Sequence, residues 1–158
     1  MTICTINSNN PVLQVITNST ASILTIPTAP NDAATNTIPQ QASYTTFLNA
    51  TITPRHVNNI LVIEVNGSVC AGSAVYCALF QDATQNALST AIVDVLFGAN
   101  KNINLHHTML AGTTSSTTFK VGLGCYAATP AYANADASGT RVYGGVSSVI
   151  ITVTEYAL

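Results

Sequence analysis

Residues 101–124 read KNINLHHTMLAGTTSSTTFKVGLG and residues 139–158 read GTRVYGGVSSVIITVTEYAL, and these two segments decide the fold class. Near the end of the second, Val149, Ile151 and Val153 alternate with Ile150, Thr152 and Thr154, and Glu155 and Tyr156 follow. Successive side chains on a strand point to opposite faces. Both faces of this strand carry apolar or β-branched residues, so both are expected to be buried or half-buried. Such a strand belongs inside a sandwich or at a subunit contact. In the first segment Ile103, Leu105, His107 and Met109 alternate with Asn102, Asn104, His106 and Thr108, the period of a strand with one face turned inward.

The same signals recur outward from here. Residues 44–52, 59–69, 73–81 and 117–123 read as strands, with turns at 82–86, 98–100 and 111–116. In 59–69, Ile60, Val62 and Glu64 share one face and Leu61, Ile63 and Val65 the other. In 73–81, Tyr76, Ala78 and Phe80 lie opposite Val75, Cys77 and Leu79. Residues 87–97 (ALSTAIVDVLF) admit a short helix or a strand, and β-branched Thr90, Ile92, Val93 and Val95 favour the strand. Residues 126–139 read as a long loop, and 140–143 lead into the final strand. Short strands spaced by turns in this way indicate an all-β sandwich or barrel.

Residues 1–40 differ from the rest. They are rich in Thr and Asn and carry Pro11, Pro27, Pro30 and Pro39, with short β-prone runs at 12–17 and 22–26 and a linker-like stretch at 28–36. Proline confines strands to edges and ends. The expectation is an extended attachment arm over residues 1–40 that orders on a partner, ahead of one domain at 41–158. The alternative is a pair of edge strands on that domain.

Composition narrows the function. Hydrophobic residues make up 47% of the 158, enough for a core, and charged residues only 6%. Ordinary soluble domains carry roughly 25% charge. The polar surface must come from Thr, Ser, Asn and Gln, and weakly charged surfaces tend to associate. The basic residues are Arg55, Lys101, Lys120 and Arg141. Nucleic-acid binding neutralises several phosphates, so four scattered cations argue against it, and no basic cluster points to an anionic membrane. The start lacks a charged segment followed by a long apolar run, so no secretory signal is expected. No apolar stretch reaches the ~18 residues of a membrane span.

Catalytic, cofactor-binding and metal-ligating residues are all expected to be absent. His106 and His107 are adjacent on a strand and point to opposite faces, and His56 lies in a turn near Pro54. One core histidine and two solvated ones are expected. No phosphate-binding glycine loop, G-x-S-x-G or H-E-x-x-H occurs. Asp32, Asp82, Asp94, Asp136, Glu64 and Glu155 each stand alone in sequence. Glu64, in a buried-looking strand, is expected to pair with a cation, and Glu155 with Arg141. Cys4, Cys70, Cys77 and Cys125 lack metal-type spacing and read as reduced; a Cys70–Cys77 bridge is the alternative. Three N-glycosylation patterns, at Asn18, Asn49 and Asn66, fall in an Asn- and Thr-rich chain and are set aside.

The combination of TIPQ (37–40), ITP (52–54), ALFQDATQNAL (78–88), LHHTMLAGTTSSTTFKVG (105–122) and GTRVYGGVSSVIITVTEY (139–156) resembles small jelly-roll virion proteins of tailed bacteriophages. The resemblance spans about residues 37–158. Two departures stand out: Gln41-Ala42-Ser43-Tyr44 follows TIPQ where an acidic residue and glycine are common, and Gly122 follows FKV where an arginine is common. The resemblance implies an eight-stranded, two-sheet jelly-roll β-sandwich, a homotrimer with apolar contacts near its axis, no enzyme activity and no cofactor. It implies a place in the virion after assembly in the host cytoplasm. Two roles follow. One is a capsid cement or decoration protein bound to the major capsid protein. The other is a tail-fibre tip that recognises a host surface glycan. A start at Met1 with a short arm and no long shaft favours cement.

Overall fold

The computed structural model describes residues 9–28, 36–93, 99–126 and 131–158. These form ten strands: β1 (Val12–Thr20), β2 (Leu24–Thr25), β3 (Thr45–Ile52), β4 (Ile60–Ala71), β5 (Val75–Gln81), β6 (Ser89–Val93), β7 (Asn100–Leu110), β8 (Thr117–Cys125), β9 (Ala131–Ala133) and β10 (Val149–Tyr156). They build two antiparallel sheets, a β-sandwich. One runs β1-β10-β4, with β7 on the far side of β4 and the short β9 and β2 continuing past the end of β10. The other runs β3-β8-β5-β6.

The core fills the space between the inner faces. The first sheet contributes Leu61, Ile63, Val65, Ile103, Leu105, Val149, Ile151 and Val153; the second contributes Leu48, Ile52, Val75, Leu79, Phe119, Val121 and Leu123. Each set is one parity of its strand, as the alternation requires. The strand edges are tied across the sandwich. Gln14 Nε2 donates to Thr53 O at 2.9 Å and Asn18 Nδ2 to Asn49 O at 2.8 Å, which join the β1 edge to β3. Ser89 Oγ donates to His106 O at 3.4 Å on the opposite side. Covered edges are poor templates for uncontrolled strand addition.

Several expectations change. Of the two readings of residues 1–40, residues 12–28 follow the edge-strand one: β1 pairs with β10 from Val12 to Thr20, and β2 pairs with β9. The 126–139 segment holds β9, which sits beside the end of β4 where β10 has already run out. Its Ala131 and Ala133 are buried, and small side chains give a weak strand signal. Residues 89–93 are strand, and the remainder of the ambiguous stretch, 94–98, lies outside the described residues. Cys70, Cys77 and Cys125 are free and buried, so no Cys70–Cys77 bridge forms; Cys4 lies outside the described residues. Burial pushes the Cys77 thiol up to about 12.

Gly122 also finds its reason. A Cβ there would lie 2.8 Å from Tyr44 Cβ and 3.2 Å from a Phe80 ring carbon. Tyr44 and Phe80, with ring centroids 5.7 Å apart, form a second small cluster with Tyr76 and Ala78 on the outside of the β3-β8-β5-β6 sheet. The space above residue 122 is thus taken by aromatic carbon, where a long cation would not fit.

Ile151 is fully buried in the inner face of β10. Ile151→Asp should give insoluble or unfolded protein, because an unpaired buried charge costs several kcal/mol, about the margin of a typical domain. Soluble protein with native circular dichroism would show that the strand is peripheral.

Candidate assembly face and its buried carboxylate

The outer face of the β1-β10-β4-β7 sheet can be read row by row, since residues opposite one another on neighbouring strands share a face. The first row is Val12, Tyr156, Ile60 and Leu110; the second is Val15, Thr154, Val62 and Thr108. Thr17, Thr152, Glu64 and His106 follow, then Ser19, Ile150, Asn66 and Asn104. The face therefore grades from apolar at one end to amide-rich at the other. Its one formally charged residue among these rows is Glu64, which is exposed. Among the described residues no Lys or Arg pairs with Glu64: its cross-strand neighbours are Thr152 and His106. The strand is buried as expected, but residue 64 has the parity of the outer face and so stays in water. Val12 and Val15 are each about half exposed, at 52% and 53%. Only the apolar end of this face is a surface that water wets poorly.

Directly behind its apolar end lies Glu155, with no exposed surface. It has the parity of Val149, Ile151 and Val153 and so points inward at the end of the core. Its expected partner Arg141 is elsewhere, donating from Nη1 to Ala21 O at 3.2 Å. Neutral donors hold the carboxylate instead: Asn59 Nδ2 at 2.6 Å, Arg55 N–H at 2.8 Å and Gln14 Nε2 at 2.5 Å. The backbone of His56 adds a further hydrogen bond. Burial pushes the Glu155 carboxyl up, but the bonds from Asn59, Gln14, Arg55 and His56 together outweigh it and hold it below its ordinary value.

A bulge makes this possible. Between Val12 and Gln14 the β1–β10 register shifts by one residue, so that Gln14 stands opposite Glu155. Unbroken register from the Val12–Tyr156 pair would have put Leu13 there, an apolar side chain against a carboxylate. Sequence reasoning found the buried strand and the acid on it but paired the acid with the nearest cation in the same segment. The signal for the true site was Gln14, a polar residue inside the apolar run Val12–Ile16.

The histidines fall as two exposed, His56 and His106, and one half-buried, His107, opposite Ile63 on the core side of β7. Burial, and then His106 beside it, lower the His107 pKa. Among the described residues no group of three or more His, Cys, Asp and Glu could hold a metal ion. Among them, too, no helix is long and apolar enough to cross a membrane. Comparison with known proteins finds no family model that matches the chain and no curated protein similar to it.

The carboxylate makes acid stability testable. Because the folded pKa of Glu155 lies below the unfolded value, near 4.5, its contribution is complete above that pH and is lost as pH falls through the folded value. Glu155→Gln should flatten the acid limb of a stability–pH profile measured by denaturant titration. Glu155→Ala should cost about 2–3 kcal/mol at neutral pH by stranding its donors. An unchanged acid limb in Glu155→Gln would remove Glu155 from the account.

Proposed function

We propose that this chain is a structural virion protein, a jelly roll that assembles as a trimer and binds a bacteriophage head as a cement or decoration protein. The nested pairing of its strands supports the jelly-roll reading. Leaving aside the short β2 and β9, the first long strand pairs with the last (β1–β10), the second with the second-last (β3–β8), the third with the sixth (β4–β7) and the fourth with the fifth (β5–β6). A long antiparallel ribbon rolled on itself has this order. The set takes its first strand from residues 12–20, ahead of the boundary expected at residue 40.

The observation that carries the assembly reading is the apolar end of the outer sheet face. Val12, Val15, Tyr156 and Leu110 surround the already buried Ile60 and Val62, and no Lys, Arg, Asp or Glu occurs in those two rows. A face of this kind suits a second and third copy of the same chain, because exposed apolar patches mark interaction sites and core-like contacts are depleted of charge. Residues 12–28 are committed to the sheet, so the attachment role proposed for residues 1–40 falls on the segments outside that span. A chain with four basic residues offers no support for a nucleic-acid role.

Sedimentation equilibrium at micromolar concentration should return the trimer mass. Val15→Lys places a cation on the apolar end at a half-exposed position, so it should leave the monomer folded and shift the mass to that of one chain. The wild-type protein should also co-sediment, saturably, with heads stripped of it. A monomer at all concentrations would contradict the assembly face, and a trimer that ignores heads would contradict the cement role in favour of the fibre tip.

A further inference from the structure

At the amide-rich end of the same sheet, well away from its apolar end, lies an open groove of about 440 Å³. Ile60 and Asn66 are six residues apart on one strand, roughly 20 Å at ~3.3 Å per residue, so the two regions are separate surfaces. Three segments distant in sequence meet here: 66–68 of β4, 102–104 of β7 and 146–148 before β10. Its polar lining is Asn66, Asn102, Asn104, Ser68, Ser147 and Ser148, with no Lys, Arg, Asp or Glu. Asn66 stands opposite Asn104, and Ser68 opposite Asn102. Asn134, whose N–H donates to Ser68 O at 3.3 Å, spends its Nδ2 on Thr20 O and Ser22 O, while its buried Oδ1 has no partner.

The turn that leads into the 146–148 wall is unusual. Tyr143, Gly144 and Gly145 have φ of 50°, 62° and 90°, three consecutive residues in the left-handed region. A bulky tyrosine in that region is an outlier, and backbone strain of this kind concentrates at functional sites. The turn is braced from below by Arg141, whose Nη1 would lie 2.7 Å from a Cβ at residue 145. The result is display: Tyr143 is 70% exposed and Val146 85% exposed, with Val146 on the groove itself.

We propose that this groove binds a neutral saccharide. Amide and hydroxyl groups both donate and accept hydrogen bonds, as sugar hydroxyls do. An anionic ligand would require a cation that the lining lacks, and a cationic one a carboxylate. Apolar Val146, on the groove wall, supplies a surface against which the C–H face of a sugar ring packs. The volume falls within the range of small-molecule sites, about 300–1,000 Å³. The inference does not depend on whether the trimer decorates a head or tips a fibre.

The test uses the full chain on an array of oligosaccharides ending in glucose, galactose, mannose, rhamnose or N-acetylglucosamine, with sialylated and sulfated glycans as charged probes. Binding to at least one neutral class is expected. The double variant Asn66→Ala, Asn104→Ala should weaken it at least about tenfold, with the unfolding midpoint and sedimentation mass unchanged. Thr84→Ala, in the turn after β5, should leave it intact. No binding to any neutral probe, binding to charged glycans alone, or binding that survives the double variant would overturn the proposal. Loss of binding that tracks only the loss of oligomeric state, as in Val15→Lys, would move the site to the subunit contact and equally overturn the groove.

Discussion

The rest of the structure depends on β10 being held between two partners. It pairs with β1 along one side and with β4 along the other, and its inward side chains Val149, Ile151 and Val153 are fully buried. The first and last long strands of the chain thereby pair side by side, with Ile16 of β1 packed against the core. Glu155 ends this row of side chains. A buried carboxylate without a cation is costly unless its hydrogen bonds are complete, and here they are supplied by one residue of β1 and by the 55–59 turn that leads into β4. The carboxylate thus ties the start of the chain, a turn in its middle and its last strand at one point. The bulge at Leu13 is the local adjustment that lets the edge strand meet it.

The scarcity of charge has a second consequence, on the outside. The β1-β10-β4-β7 sheet grades along its strands from valine, isoleucine, leucine and tyrosine to asparagine and serine. Neither end relies on ions. The apolar end suits burial against copies of itself, where charges would have to be desolvated. The amide end suits a ligand made of hydroxyl groups. One sheet face can in this way serve assembly at one end and recognition at the other, with Glu64 and His106 marking the change between them.

Much of the strand set was legible because its alternation is clean. Ile103 and Leu105 against Asn102 and Asn104, and Leu61, Ile63 and Val65 against Glu64, announce inner and outer faces directly, and the boundaries of β3, β4, β5, β7, β8 and β10 fall within two residues of the expected ones. What was hidden depends on register and on distance. That residues 12–20 belong to the sheet follows from their pairing with β10, which local composition rich in Thr, Asn and Pro obscures. β9 is three residues with two alanines, too short and too small to announce itself. Glu155 was recognised as an acid on a buried strand, but its donors lie about 140 and 100 residues away in sequence, and a one-residue bulge selects which of them arrives. The groove joins strand ends that only the fold brings together. Its sequence signal was the replacement of apolar by Asn and Ser residues at the outward positions of β4 and β7.

The central claim is that this is a structural protein of the phage head. The most direct measurement is quantitative mass spectrometry of purified virions separated into heads and tails, with the major capsid protein as the internal standard. The account predicts the chain in the head fraction, in many copies and in a fixed ratio to the major capsid protein. A few copies confined to the tail fraction, or none in the virion, would contradict it.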